Sequence, residues 1–413
     1  MDDVRKRAWI VFLVALAVRV AFVIPMPADS YRSAYSSDNT LDSKAYVDVA
    51  QTLVDHHLFG YGTRSSAFRP PVYPWFLASV FSLAGQNFLV VRLIQALFGA
   101  LSALALFGLG HLLWDKRVGL LAGLGLALYP FSIYFAGSIM TEGLFLLLAV
   151  GALWLAALLL ERGATRSRIV WLGVVAALAT LCRPTFLPFL AVGMAAGTLG
   201  FVRNQWAALK PLLWAALLAV LLVSPWIARN SLLFGRPTFI TTYTGLNLYE
   251  SLPGKDQITQ LQDFGYNYHT IEDSSIAVLP IPERQAEQEQ KDYFKRFVQH
   301  YPGEYAKEKL GDLRDFWLDF NLAGNLGKRG GLVRTVPFAA YGLILVGGLL
   351  ATAWLIVRRE WLPLAICGTA IVSTMLITLT IFAGKRYRIP TVDPYLILLT
   401  AWLVRQALFK RSR

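Results

Sequence analysis

Long apolar runs alternate with short polar gaps along this chain, and the lengths of the runs predict its architecture. Several reach the roughly 20 residues that a helix needs to cross a bilayer. They fall at 7–24, 88–114, 118–134, 140–160, a pair meeting at Cys182-Arg183-Pro184 and ending near 203, then 211–227, 336–357, 361–383 and 391–408. Backbone groups in lipid must bond to one another, which makes helices the default spans. The pattern predicts an all-α polytopic membrane protein of about ten transmembrane helices with both termini cytoplasmic. The N-terminal run has a basic start, but Arg19 interrupts it and no clean small-residue cleavage site follows. It is therefore expected to be a retained span and not a cleaved signal peptide.

Two polar stretches break the apolar pattern. The first, 25–87, is expected on the outer side. Within it Leu41, Ala45, Val49 and Leu53 form one apolar stripe at helical spacing, which suits a helix lying along the membrane interface. Residues 73–84 are apolar but short, and predict a second interfacial or re-entrant helix. The second stretch, 229–334, carries most of the remaining Asp and Glu. Helical patterns at 283–305 and 312–320 predict a small, mostly helical outer subdomain. The chain thus divides into an N-terminal transmembrane module (1–228, with the outer loop 25–87), the outer subdomain (229–334) and a C-terminal transmembrane module (335–413).

Composition agrees: 56% of residues are hydrophobic and 16% charged, and mean hydropathy is +0.49, displaced from soluble domains toward the membrane class. The net charge of +13 does not indicate nucleic acid, because its basic clusters sit in short gaps and at the termini. Arg5-Lys6-Arg7, Lys116-Arg117, Arg162/Arg166/Arg168 and Arg358-Arg359 follow the positive-inside rule. Cys182 and Cys367 fall in opposite halves of the expected membrane, which argues against a disulfide.

Placing the ionisable residues on this topology gathers them at one face. Arg19, Arg92, Glu142, Arg183, Lys385, Arg386 and Arg388 all join Asp42 and Arg69 on the outer side. Charge at membrane depth is costly and marks function or a specific partner. Lys385, Arg386 and Arg388 also run against the positive-inside bias. Guanidiniums offer a planar fork to phosphate, and lysine adds a point charge. A carboxylate beside such a cluster suits group transfer from a lipid phosphate: it takes the acceptor's proton while the cations stabilise the leaving phosphate.

Each of these residues also has a plainer reading. Asp42 could cap a helix, Arg69-Pro70-Pro71 could be an extended turn, and Arg183 could snorkel at a helix break. Glu142 could complement a helix dipole, and the 385–388 cations could attract lipid headgroups. His56 and His57 are adjacent and point apart on a helix, a weak basis for zinc. Trp75, Tyr243, Tyr249 and Trp317 read first as an interface aromatic belt.

Asp42-Ser43 with Tyr46 and Ala50, then Arg69-Pro70-Pro71-x-Tyr73-Pro74, resemble the first outer loop of C-type glycosyltransferases. Arg92, Gln95, Tyr129-Pro130, Thr141-Glu142, Arg183-Pro184, Arg229-Asn230, Gly245-Leu246-Asn247-Leu248-Tyr249 and Arg386-Tyr387-Arg388-x-Pro390 follow in family order. More narrowly, the chain is similar to bacterial relatives of dolichyl-phosphate-mannose protein mannosyltransferases and of aminoarabinose transferases. The resemblance implies a polyprenyl-phosphate sugar donor and a lipid, glycan or protein acceptor. It also implies a multi-pass protein of the bacterial inner membrane whose active site faces the periplasm or exterior.

On this resemblance the catalytic candidates are Asp42, with Asp38 as its close rival, and Glu142 as a supporting acid. The family's paired acidic motif is absent, since Ser43 follows Asp42. Arg69, Arg92, Arg183, Lys385, Arg386 and Arg388 are the candidate donor-phosphate ligands, and Tyr46, Tyr73, Asn247 and Tyr249 the candidate substrate contacts. The acidic residues form no recognisable metal-ligand set, which leaves dependence on a divalent metal open. Three other readings compete. A flippase or transporter for a lipid-linked saccharide would string ionisable residues along a midplane path. An O-antigen ligase or polymerase would use a diphosphate-linked donor, and a non-catalytic assembly partner would tolerate loss of Asp42.

Overall fold

Polar caps set where several apolar runs begin as helices. Asn87 Oδ1 accepts from the Leu89 and Val90 amides at 3.0 and 3.2 Å, and Asp115 Oδ1 from those of Arg117 and Val118 at 2.8 and 3.0 Å. The Thr165 hydroxyl accepts from the Arg168 amide. Each satisfies donors that a helix start leaves open. The computed structural model describes residues 2–31, 40–201, 206–253, 283–319, 331–381 and 385–409.

The first run is α1 (Asp2–Val23). The polar insert holds α2 (Thr40–His56), an antiparallel hairpin of two-residue strands (β1, Gly60–Tyr61; β2, Arg64–Ser65) and α3 (Val72–Ala84). Gly62, with φ of 58°, supplies the left-handed backbone that the hairpin turn needs. Then come α4 (Phe88–Leu113), α5 (Lys116–Ala127), α6 (Pro130–Gly137), α7 (Glu142–Arg162) and α8 (Arg166–Cys182). A 3-10 turn, Pro184–Phe186, leads into α9 (Leu187–Phe201) and α10 (Trp206–Phe234). The second polar stretch contributes α11 (Thr244–Glu250), α12 (Glu283–His300) and α13 (Pro302–Leu318). The chain ends in α14 (Leu332–Arg358), α15 (Trp361–Thr380), α16 (Lys385–Thr391) and α17 (Asp393–Leu408).

The expected helical membrane protein is met, with one two-residue hairpin besides, but the count of ten spans is not confirmed. Among the described residues five helices are long and apolar enough to cross a membrane, or six if the α5–α6 pair, bent by 50°, is one broken span. The others sit where the pattern predicts but fall short: α8 has 17 residues and α17 has 16. Lys6, Arg7 and Arg19 make α1 too charged. The 73–84 stretch is indeed a short helix, α3.

Arg19 explains the α5–α6 bend. Pro130 interrupts the helix, and the last carbonyls of α5 are left without their helical donors. Arg19 supplies them: its Nη1 donates to Ala127 O at 2.9 Å, and its Nη2 to Leu126 O at 3.1 Å and to the Ser132 hydroxyl at 2.8 Å. Gly99 of α4 makes room, since a Cβ there would lie 2.2 Å from Arg19 Nε. Around this joint α4 packs on α1, α5 and α7, while α17 packs on α5 and α14. Cys182 and Cys367 are buried and free. The starts of α2 and α7, the end of α8 and the whole of α16 converge at one end of the bundle.

Candidate active site

Five charged side chains from distant parts of the chain form one line at that end. Arg69 Nη2 donates to Asp42 Oδ1 at 2.6 Å, and Arg386 Nη1 to Asp42 Oδ2 at 2.5 Å. Arg386 Nε donates to Glu142 Oε1, and Arg183 Nη2 stands 3.5 Å from the same oxygen. Three guanidiniums against two carboxylates leave one net positive charge. Glu142 is 1% exposed and Arg183 8%, so the line runs from a partly open Asp42 into the protein. Arg183 Nη1 is buried without a hydrogen-bond partner among the described residues, which leaves that edge of the guanidinium unused.

Local structure fixes each member. Asp42 lies in the first turn of α2, and both of its carboxylate oxygens accept from guanidiniums. Arg69 is held between rings, its Cζ 4.8 Å from the centroids of both Tyr46 and Tyr243. The segment leading to it is tied down from both sides. Arg229 donates to the Ser66 and Phe59 carbonyls at 2.7 and 2.9 Å, while Glu283 accepts from the Ala67 amide at 3.0 Å and from the Thr242 hydroxyl. Arg183 is the C-cap of α8, and its Cζ lies over Tyr387 at 5.0 Å and Phe145 at 5.5 Å.

These partners set the protonation of the site. Burial pushes the Asp42 carboxyl up, but the Arg69 and Arg386 guanidiniums outweigh it and hold the group well below the usual carboxylate range. Burial likewise works against the Arg386 charge, and Glu142 and Asp42 more than compensate, raising its proton affinity further. Burial raises the Tyr46 and Tyr387 hydroxyls, keeping both neutral.

The structure does not bring every sequence-derived candidate to this line. Arg92 is fully buried and serves backbone carbonyls: Nε donates to Gly137 O at 3.0 Å, Nη1 to Pro27 O at 2.6 Å and Nη2 to Ser30 O at 2.7 Å. Arg388 is also fully buried, paired with Asp393 at 3.0 Å and donating to Phe316 O at 2.8 Å. Arg19 supports the α5–α6 bend. Tyr46 meets the line as the platform beneath Arg69. Tyr73 stands one ring further away, edge-on to Tyr46 at 5.2 Å, and its hydroxyl donates to Gln95 at 2.7 Å. Asn247 and Tyr249 lie on α11, with Tyr249 packed against Tyr293. Asp38 lies outside the described residues, as does the side chain of Lys385. Among the described residues no group of three or more His, Cys, Asp or Glu could hold a metal ion.

Tyr243 and Glu283 were missed as site residues. Tyr243 looked like belt aromatic, and Glu283 lies 216 positions from its partner Ala67, a pairing that no local pattern reveals.

An apolar groove, partly open to the outside, runs between α7, α8, α9, α10 and α15. Ala152, Ala156, Phe186, Leu190, Leu212 and Ile366 are among its walls. Phe186 packs edge-on against Phe145, the ring that also faces Arg183. The groove therefore ends two rings from the charged line.

The chain is similar to several known proteins. The model of the dolichyl-phosphate-mannose-protein mannosyltransferase family matches residues 68–228. No curated protein matches the chain in sequence. Among solved structures, the apo oligosaccharyltransferase of Archaeoglobus fulgidus superposes with a TM-score of 0.58 at 15% identity, over 98% of this chain and 51% of its own. The same organism's AglB, in complex with an inhibitory peptide and a dolichol-phosphate, gives 0.56 at 14% identity over 97% and 51%. ArnT from Cupriavidus metallidurans, bound to undecaprenyl phosphate, gives 0.46 at 15% identity over 96% and 77%. The chain spans about half the length of the archaeal enzyme. It thus matches the model of the dolichyl-phosphate-mannose-protein mannosyltransferases over 68–228, and over nearly its whole length it shares the fold of the archaeal oligosaccharyltransferase.

Proposed function

We propose that the chain is a membrane glycosyltransferase that moves a sugar from a polyprenyl monophosphate to a lipid, glycan or protein acceptor. Its site would face the periplasm or exterior of a bacterial inner membrane. The observation that carries this reading is the Arg69–Asp42–Arg386–Glu142–Arg183 line standing at the end of an apolar groove. The groove suits an isoprenoid tail, and the unused edge of Arg183 suits the phosphate that follows it. The one net positive charge of the described line suits an anionic sugar phosphodiester. A dolichol-phosphate in the archaeal oligosaccharyltransferase of the same fold supports a lipid phosphate here.

In the transfer, the acceptor hydroxyl oxygen attacks C1 of the sugar and the bond from C1 to the phosphate oxygen breaks. Asp42 takes the hydroxyl proton, and Arg386 and Arg183 stabilise the charge gathering on the leaving phosphate. At rest, two guanidiniums make Asp42 a weak base. A donor phosphate competing for Arg386 would loosen one of its ion pairs and return proton affinity to Asp42 as the reaction begins. Glu142, shared by Arg386 and Arg183, orients both cations and takes no proton in this scheme.

Mass spectrometry of membrane glycolipids and glycoproteins from a strain lacking the protein tests the reading. Accumulation of one polyprenyl-phosphate sugar, with loss of one modification, is expected. An unchanged pool of polyprenyl-phosphate sugars would overturn it.

A further inference from the structure

Arg386 reaches Asp42 and Glu142 from α16, a helix of only seven residues. Such a helix cannot hold itself in place, so its position must come from tertiary contacts. Two of these contacts lead to α13 of the second polar stretch. On one side of α16, Lys309 Nζ donates to Ile381 O at 2.6 Å, the carbonyl at the C-cap of α15, and Asp312 Oδ2 accepts from the same amine at 2.6 Å. The Tyr305 hydroxyl, one turn before Lys309, donates to Thr380 O at 3.3 Å. A buried ammonium at a helix C-terminus satisfies an open carbonyl and complements the dipole. Only residues 382–384 separate Ile381 from α16 in the sequence.

On the other side, Arg388 leaves α16 about 200° around the helix from Arg386, given 3.6 residues per turn. It donates to Phe316 O at 2.8 Å and Asp319 O at 3.2 Å, at the end of α13. Tyr341 of α14 completes the grip. Its ring lies 3.5 Å from Arg388 Cζ, and its hydroxyl donates to Trp317 O at 3.0 Å. The arginine that touches both carboxylates is thus carried on a short helix pinned to α13 before and after.

We infer that Lys309 is a positioning residue for Arg386: α13 clamps the end of α15 and the far face of α16, and so sets where the Arg386 fork meets Asp42 and Glu142. The inference rests on the proposed role of Arg386 in transfer. Lys309 acts on Arg386 through the backbone it holds at the end of α15.

The test uses the full chain in lipid nanodiscs, with Lys309→Met to keep length and burial, and Lys309→Arg to restore a cation. Hydrogen exchange of peptides covering 385–391 should quicken in Lys309→Met and return in Lys309→Arg, while peptides from α4 and α7 stay unchanged. With a polyprenyl-phosphate sugar as donor, kcat should fall roughly tenfold with donor KM kept within about twofold, the signature of lost alignment. In an Arg386→Lys background the same change should cost less than about threefold further, because both act through one group. Unchanged exchange over 385–391, or a full tenfold loss in both backgrounds, would overturn the inference. Faster exchange in a protein that transfers nothing would instead overturn the glycosyltransferase reading and leave the clamp standing.

Discussion

Arg386 and Asp42, 344 positions apart in the chain, are joined by an ion pair of 2.5 Å, and the Nε of the same guanidinium serves Glu142. The pairing ties the first polar insert to the short helix before the last apolar run. It also places the proposed base under the control of the cation that would meet the donor.

The acid limb of the pH profile of kcat/KM, which reports the free enzyme, should show that control. Asp42 must be ionised to accept a proton, and its two guanidiniums hold the carboxyl below the ordinary range. The wild-type limb should therefore lie below the reference value of about 3.9. Arg386→Ala removes one partner, so the limb should move upward. The same shift links to stability: the Asp42 contribution is present above the unfolded value and lost as pH falls through the folded one. Transfer rates between pH 3 and 7, expected here to separate the two proteins by about one pH unit or more, check the sign.

Arg183 and Arg92 should separate by kinetics although both are buried arginines. Arg183 keeps an unused edge two rings from the groove, so Arg183→Ala should raise donor KM about tenfold or more, the loss of one charge-assisted hydrogen bond. Arg92 is spent on three carbonyls. Arg92→Leu should lower the unfolding temperature while the folded fraction keeps its donor KM. Titration of turnover with donor, alongside thermal unfolding in detergent, decides between them.

Gly99→Ala should destabilise the bundle. Its Cβ would press on Arg19, which four hydrogen bonds hold in place and which therefore cannot swing aside. Overpacking of this kind costs about 1–3 kcal/mol, readable as a lowered unfolding temperature. Gly143→Ala on α7 is the control, since its nearest neighbour would be Phe135 O at 3.9 Å, and little change is expected there.

The helices and the polar insert were legible because apolar periodicity and length report burial directly. The span count was not, since the Pro130 break and the short α8 and α17 depend on how neighbours support them. Asp42, Arg69, Glu142, Arg183 and Arg386 do meet, as their common placement at one face suggested. Arg92 and Arg388 looked the same in sequence but turn inward, because residue type and depth do not say whether a guanidinium fork faces a ligand or a carbonyl. For Arg386 and Arg388 the difference is only which side of one short helix each leaves. Tyr243 and Glu283 reach the site through folding of the second polar stretch, which no local pattern encodes.

Asp42→Asn tests the central claim most directly, because it keeps the shape of the side chain while removing its charge and proton affinity. It also gives up one of the two oxygens that accept from arginine. Purified protein in nanodiscs would be given a polyprenyl-phosphate sugar and acceptor, with donor binding and transfer measured on the same sample. Transfer should fall by at least about 10²-fold, the usual worth of a general base, with donor binding retained. Full transfer by the Asn variant would contradict the account and remove Asp42 from the chemistry.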